Sequence, residues 1–249
     1  MLEAFGLSDL GCVRANNEDY FISDTQSGIF VLADGMGGAN AGEYASRLSA
    51  EMIYEFLLGA GPEDLEALER GFQEANWAVR EAAKGNPELD GMGTTLVVVR
   101  ELADGRVQVG SVGDSRAYLW SCHGLESRRE PGSQGELVPI TQDQTWATEV
   151  GARLGLSDEA LRTHPMRHVL TMAVGTSDEV RMQSRIVPVA AGDQILLCCD
   201  GLHGVVGEKI VRETLDSSQS LPEKCHYLVE AAKQQGGPDN ITVLLIQLT

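Results

Sequence analysis

The stretch Val31-Leu32-Ala33-Asp34-Gly35-Met36-Gly37-Gly38 constrains this chain more than any other. The apolar run 29–33 reads as a buried strand, and it ends in a lone carboxylate followed by glycines. A carboxylate at the end of a buried strand is costly unless a cation or a metal ion meets it. Gly35 lets a backbone carbonyl approach the same ion closely. Taken alone, an Asp-Gly pair is more often a plain solvated turn. Here the pattern recurs. Asp200 follows the apolar run 194–199 and precedes Gly201, and Asp239 sits in a glycine-rich turn before the apolar run 241–248. Three strand ends, each carrying a carboxylate beside glycine, suggest convergence on metal. Oxygen donors without His or Cys suit magnesium or manganese, and two such ions can activate water for in-line attack on phosphorus.

Charge narrows the partners. Lys and Arg number 19 against 37 acidic residues, a formal charge of −18. Such a chain repels nucleic acid and anionic membranes, so neither is expected as a partner. Most of the charge is solvated surface. The cysteines, Cys12, Cys122, Cys198, Cys199 and Cys225, show no zinc-type spacing, and their odd number fits a reduced, cytoplasmic setting. The N-terminus lacks a basic region and apolar core of the secretory kind, and no apolar run approaches the ~20 residues of a membrane span.

Periodicity predicts helices at 41–58 and 63–84. The first turns Ala45, Leu48, Met52, Ile53, Phe56 and Leu57 inward, and the second Leu65, Leu68, Phe72, Ala75 and Val79. Together they form an antiparallel pair over a sheet. Strands are expected at 5–12, 20–22, 94–100, 106–112, 116–120, 186–189, 194–199 and 241–248, with a hairpin turn at Asp104-Gly105. Residues 121–136 read as an exposed loop, 146–154 and 157–162 as short surface helices, and 208–215 and 221–235 as later helices. With no repeat and no linker, residues 1–249 read as one domain.

Seven motifs in order carry a family resemblance: 14–19 (RANNED), 33–38 (ADGMGG), Gly93-Thr94-Thr95, 113–116 (GDSR), 164–176 (HPMRHVLTMAVGT), Asp200-Gly201-Leu202 and 237–243 (GPDNITV). The chain resembles the metal-dependent serine/threonine protein phosphatases of the PPM (type 2C-like) family, in their compact bacterial form. The resemblance implies an α+β fold, a four-layer αββα sandwich with two central antiparallel sheets flanked by pairs of antiparallel helices and metals in a cleft at one end. It implies that Asp34 bridges two Mn2+ or Mg2+ ions, that Gly35 offers its carbonyl to one, and that Asp200 and Asp239 hold the other. It further implies that Glu18 reaches an ion through water, that Asp19 and Asn240 support the ligands, and that Arg14 grips phosphate with its planar fork. Asp114 matches a ligand of a third, weaker ion.

The implied function is hydrolysis of phosphoserine and phosphothreonine on proteins by metal-activated water. Arg14, Asp34, Asp200 and Asp239 carry it, in a monomer opposing a bacterial serine/threonine kinase. One alternative is a same-fold phosphatase serving a single regulatory protein, such as an anti-sigma-factor antagonist. Another is a non-catalytic binding module, against which the complete aspartate set speaks. Two departures stand out. Met36 occupies the place where animal members often carry a histidine proposed as the acid, which leaves water in that role, with His203 as a weaker candidate. Gly204 stands where some relatives have an acidic residue that helps hold the third ion. The family's variable flap falls within 143–165.

Overall fold

The computed structural model describes residues 2–37, 41–103, 105–121 and 135–249. Opposite ends of the chain meet first. Strand β1 (Leu2–Asp9) runs antiparallel to β11 (Ile241–Leu248), from Leu2 opposite Leu248 to Asp9 opposite Ile241. With β7 (Arg116–Ser121), β8 (Glu136–Pro139) and β10 (Gln194–Cys198) they form one sheet, in the order β1-β11-β10-β7-β8. The second sheet contains β2 (Asp19–Asp24), β3 (Ile29–Met36), β5 (Leu96–Glu101), β6 (Arg106–Val112) and β9 (Gln183–Pro188), in that order. The short β4 (Gly93–Thr94) pairs with the end of β3.

Both faces of each sheet are covered, which explains why its central strands read as continuous apolar runs rather than alternating ones. Side chains along β3 point alternately to opposite faces. Phe30 and Leu32 enter the core between the sheets, with Val97, Leu119, Ile195 and Leu244. Val31 and Ala33 face α1 (Ala41–Gly59) and α2 (Ala67–Ala83), where Ile53, Leu57, Phe72 and Val79 are buried. On the other outer face α5 (Glu208–Asp216) and α6 (Leu221–Gln234) bring Leu215, Leu228 and Val229 onto Leu196, Val243 and Leu245. The result is the expected αββα sandwich. Each fully buried leucine or phenylalanine contributes about 1.5–3 kcal/mol.

Several local expectations shift. The second helix begins at Ala67 rather than 63, because the Asp64 carboxylate accepts the Ala67 amide (3.1 Å) and turns the chain first. Leu65 therefore lies outside the helix, 42% exposed rather than inward. β8 forms at the end of the stretch read as a loop, pairing with β7. Residues 122–134 of that stretch, with Cys122, lie outside the described residues, as do Asp104 of the hairpin and Gly38. The helix expected at 146–154 contracts to a turn at Ala147–Gly151, followed by α3 (Asp158–Thr163). The one-turn helix α4 (Asp200–His203) was not foreseen. Among the described residues, no helix is long and apolar enough to cross a membrane.

Candidate metal centre

Strand register decides which chain ends meet. Asp19, at the start of β2, lies opposite Asp34 on β3. Cys198, the last residue of β10, lies opposite Val243 near the start of β11, so Asp200 and Asp239 arrive together. The turn from β6 to β7 carries Asp114 to the same end. These ends enclose a cleft of about 700 Å³ whose walls include Arg14, Glu18, Asp34, Gly35, Met36, Asp114, Asp200 and Asp239. Of the residues singled out from sequence, these line the cleft, while Asp19 and Asn240 lie behind it.

Backbone contacts hold the carboxylate-bearing turns together. The Gly35 amide donates to the Glu18 carbonyl (3.0 Å), joining the loop before β2 to the end of β3. A Cβ on Gly35 would meet the Gly42 carbonyl oxygen at 2.1 Å, so only glycine permits α1 to start so close to the site. The Asp34 amide donates to Thr95 Oγ1 (3.0 Å), and that hydroxyl bonds Ser115 Oγ (2.7 Å), tying the Asp34 strand to the Asp114 turn. Gly113, with φ +95°, makes that turn possible, and Gln144 accepts its amide (2.9 Å) from the flap side.

Asn240 braces residues on both sides of the cleft. Its side chain donates to the carbonyls of Leu10 (3.1 Å) and Asn16 (2.9 Å) and accepts the Glu18 amide (2.9 Å). It thereby fixes the loop that presents Arg14 and Glu18. Asp239 is oriented by the backbone amide of Asn240, which donates to Oδ1 (2.8 Å).

The electrostatics are those of a site that wants cations. Desolvation, then Asp19, Asp200, Asp114 and Asp239, push the Asp34 carboxyl well above the usual range. Asp114 is raised to about 7 by burial, then by Asp200 and Asp143. Asp19, buried and hydrogen-bonded by Thr242 Oγ1 (2.6 Å), is raised to about 6, chiefly by desolvation. Asp200 is raised by burial and then by Asp239. The Asp19 Oδ1 atom is buried with no hydrogen-bond partner among the described residues. Mutually repelling carboxylates and an orphaned oxygen fit hard divalent ions with oxygen ligands. The Cys199 sulfur lies within 4.8 Å of Asp19 and Asp34 ligand atoms. It is occupied, accepting the Thr242 amide (3.1 Å) and donating to the Asn240 carbonyl (3.4 Å), and burial holds its pKa well up. It acts as packing.

Arg14 stands at the rim, 2.6 Å from Asp239 Oδ2, and pairs with that carboxylate. Its fork keeps further N–H donors for an anion. His203 lies under the flap. Burial lowers its pKa to about 4, and its Nε2 donates to the Asp114 carbonyl (2.9 Å), so the neutral ring braces the Asp114 turn. The flap itself is an excursion closed by a bridge between Thr145 and Leu170, five residues beyond the expected limit at 165. Trp146 stacks on His164 across its base, with ring centres 4.0 Å apart.

The cleft residues not singled out from sequence include Thr95 and His168. Both lie inside motifs noted for the resemblance. Nothing in their spacing showed which side chain would face the cleft.

The comparisons agree with this geometry. The family model for protein phosphatase 2C matches residues 13–245. The serine/threonine phosphatase stp of Listeria monocytogenes is 34% identical, covering 96% of this chain and 93% of its own. The crystal structure of the Mycobacterium tuberculosis serine/threonine phosphatase PstP/Ppp superposes with a TM-score of 0.87 at 33% identity, covering 99% of this chain and 98% of that one. The catalytic domain of the serine/threonine protein phosphatase PstP, solved in complex with two manganese ions, superposes with a TM-score of 0.82 at 33% identity, over 99% and 97% of the two chains. With carboxylate-bearing strand ends, fold and sequence all in agreement, this chain belongs to the protein phosphatase 2C family.

Proposed function

We propose that this cleft hydrolyses phosphoserine and phosphothreonine on proteins, using two Mn2+ or Mg2+ ions. The carrying observation is the group Asp34, Asp114, Asp200 and Asp239 in one cleft, with the pKa of the first three forced upward and an arginine at the rim. The relatives' names and the manganese ions in the PstP structure support the reading. Asp34, the Gly35 carbonyl, Asp200 and Asp239 hold the two ions, Glu18 acts through water, and Asp114 serves a third, weaker one. The ions lower the pKa of water and neutralise charge developing on the phosphoryl group.

The chain's own groups do the rest. Arg14 donates to the phosphate oxygens and orients them. Asn240 holds the Arg14 loop in place. Met36 and His203 supply no proton, so the leaving serine oxygen takes its proton from water in the open cleft. The physiological counterpart in this reading is a serine/threonine kinase and its targets, met by a monomer in the cytoplasm; the free state of the described cysteines suits that compartment.

The test is hydrolysis of a phosphoserine peptide with chelator or with manganese. Activity should vanish in chelator and return with manganese. Asp34→Asn and Asp239→Asn should each lose at least ~100-fold in kcat/KM. Full activity of either variant in manganese would refute the assigned site.

A further inference from the structure

A second cavity, of about 670 Å³, opens beside the catalytic cleft and shares Asp114 and His168 with it. The flap forms one side, with Arg162 in the last turn of α3 and Arg167 just beyond. His203, Gly204 and Glu208 form the other. Two of the remaining polar groups there are already paired. Arg116 grips Asp143 through Nε (2.8 Å) and Nη2 (2.7 Å), and His203 bonds the Asp114 carbonyl (2.9 Å). The flap arginines differ. Arg162 and Arg167 form no ion pair among the described residues, and Arg167 Nη1 only approaches the His164 carbonyl at 3.5 Å. Two unmatched guanidiniums on one wall run against the excess of a chain with 37 acidic and 19 basic residues.

We propose that this cavity is a subsite for an anionic side chain, a carboxylate or a second phosphate, a few residues from the phosphorylated serine or threonine of the substrate. A peptide leaving the cleft past Asp114 and His168 runs over it, and an extended chain advances about 3.3 Å per residue. Guanidinium forks match carboxylate and phosphate oxygens. Glu208 and Asp114 repel an anion from the opposite wall, which places it on the flap side, between Arg162 and Arg167. The Thr145–Leu170 bridge and the Trp146–His164 stack hold that side at its base. The inference rests on the phosphatase reading, because only a peptide held in the cleft reaches the subsite.

The experiment compares phosphoserine peptides of one length in manganese. One has alanine flanks; the others carry glutamate or a second phosphoserine, scanned over the four positions on either side. The full chain is assayed as wild type, as Arg162→Ala/Arg167→Ala and as Arg162→Glu/Arg167→Glu. The wild type should favour an anionic flank at one or two positions by about tenfold in kcat/KM, through KM, with the preference shrinking as salt rises. The alanine pair should abolish the preference and the glutamate pair reverse it; paired lysine substitutions should retain most of it. The readout is a ratio within each enzyme, so a general loss of activity does not disguise it. A larger gain from phosphate than from glutamate assigns a dianion to the subsite, and equal gains assign any carboxylate or phosphate. No preference at any scanned position, or a preference that survives in the alanine pair, overturns the subsite and leaves the phosphatase reading intact. Hydrolysis of no peptide by the wild type overturns both.

Discussion

Asp114→Asn tests whether the carboxylates are held together against their own repulsion. Asp114 is 6% exposed, and burial, then Asp200 and Asp143, raise its pKa from 3.8 to about 7. The folded pKa lies above the unfolded one, so the folded state favours the protonated acid. No penalty exists below about pH 4; it grows as pH rises and is complete above about 7. Between pH 5 and 8 the penalty grows by about two pH units' worth, or about 2.7 kcal/mol. Asparagine has no proton to lose. In chelator, the wild type should therefore lose stability from pH 5 to 8, and Asp114→Asn should lose less, by about 2–3 kcal/mol. In a chain of this size that is roughly 4–12 °C in Tm. Urea melts of both proteins across that pH range give the difference directly. Manganese should narrow the gap, since a divalent ion takes over the neutralising role of the proton. Parallel pH profiles for the two metal-free proteins would refute the burial and repulsion argument.

Two further outcomes follow from single contacts. Arg14→Ala should lower kcat/KM on a phosphopeptide by roughly 10- to 100-fold, about 1.4–2.7 kcal/mol, with metal affinity by calorimetry little changed; unchanged kcat/KM would reduce Arg14 to a surface ion pair with Asp239. Asn240→Ala strands the Leu10 and Asn16 carbonyls and the Glu18 amide, and should cost about 2–4 kcal/mol in urea melts while also raising KM; unaltered stability would show that solvent satisfies those groups.

Much of the site was legible because its chemistry is local. Asp34, Asp200 and Asp239 stand out wherever an apolar strand meets a glycine-flanked carboxylate, and Arg14, Glu18 and Asp114 lie in short ordered motifs. The central strands of both sheets were legible because burial on both faces leaves continuous apolar runs, as at 29–33 and 94–100. Boundaries were less so. The start of α2 moved to Ala67 through one side-chain hydrogen bond from Asp64, and β8 exists only because β7 offers it a partner.

The sequence by itself therefore pointed to the layer architecture, the carboxylates that line the cleft and the family. Tertiary structure alone decided who meets whom. Register sets Asp19 against Asp34 and brings Asp200 to Asp239, contacts between residues far apart in the chain that no local pattern encodes. It set His203 against the Asp114 carbonyl and gave the Asn240 side chain to the Arg14 loop. It also set Arg162 and Arg167 across a cavity from Glu208. The physical reason is common to all of these. Hydrophobicity and turn chemistry act between neighbours in the chain, whereas hydrogen bonds and charge repulsion act between whatever the packed sheets bring within a few ångströms.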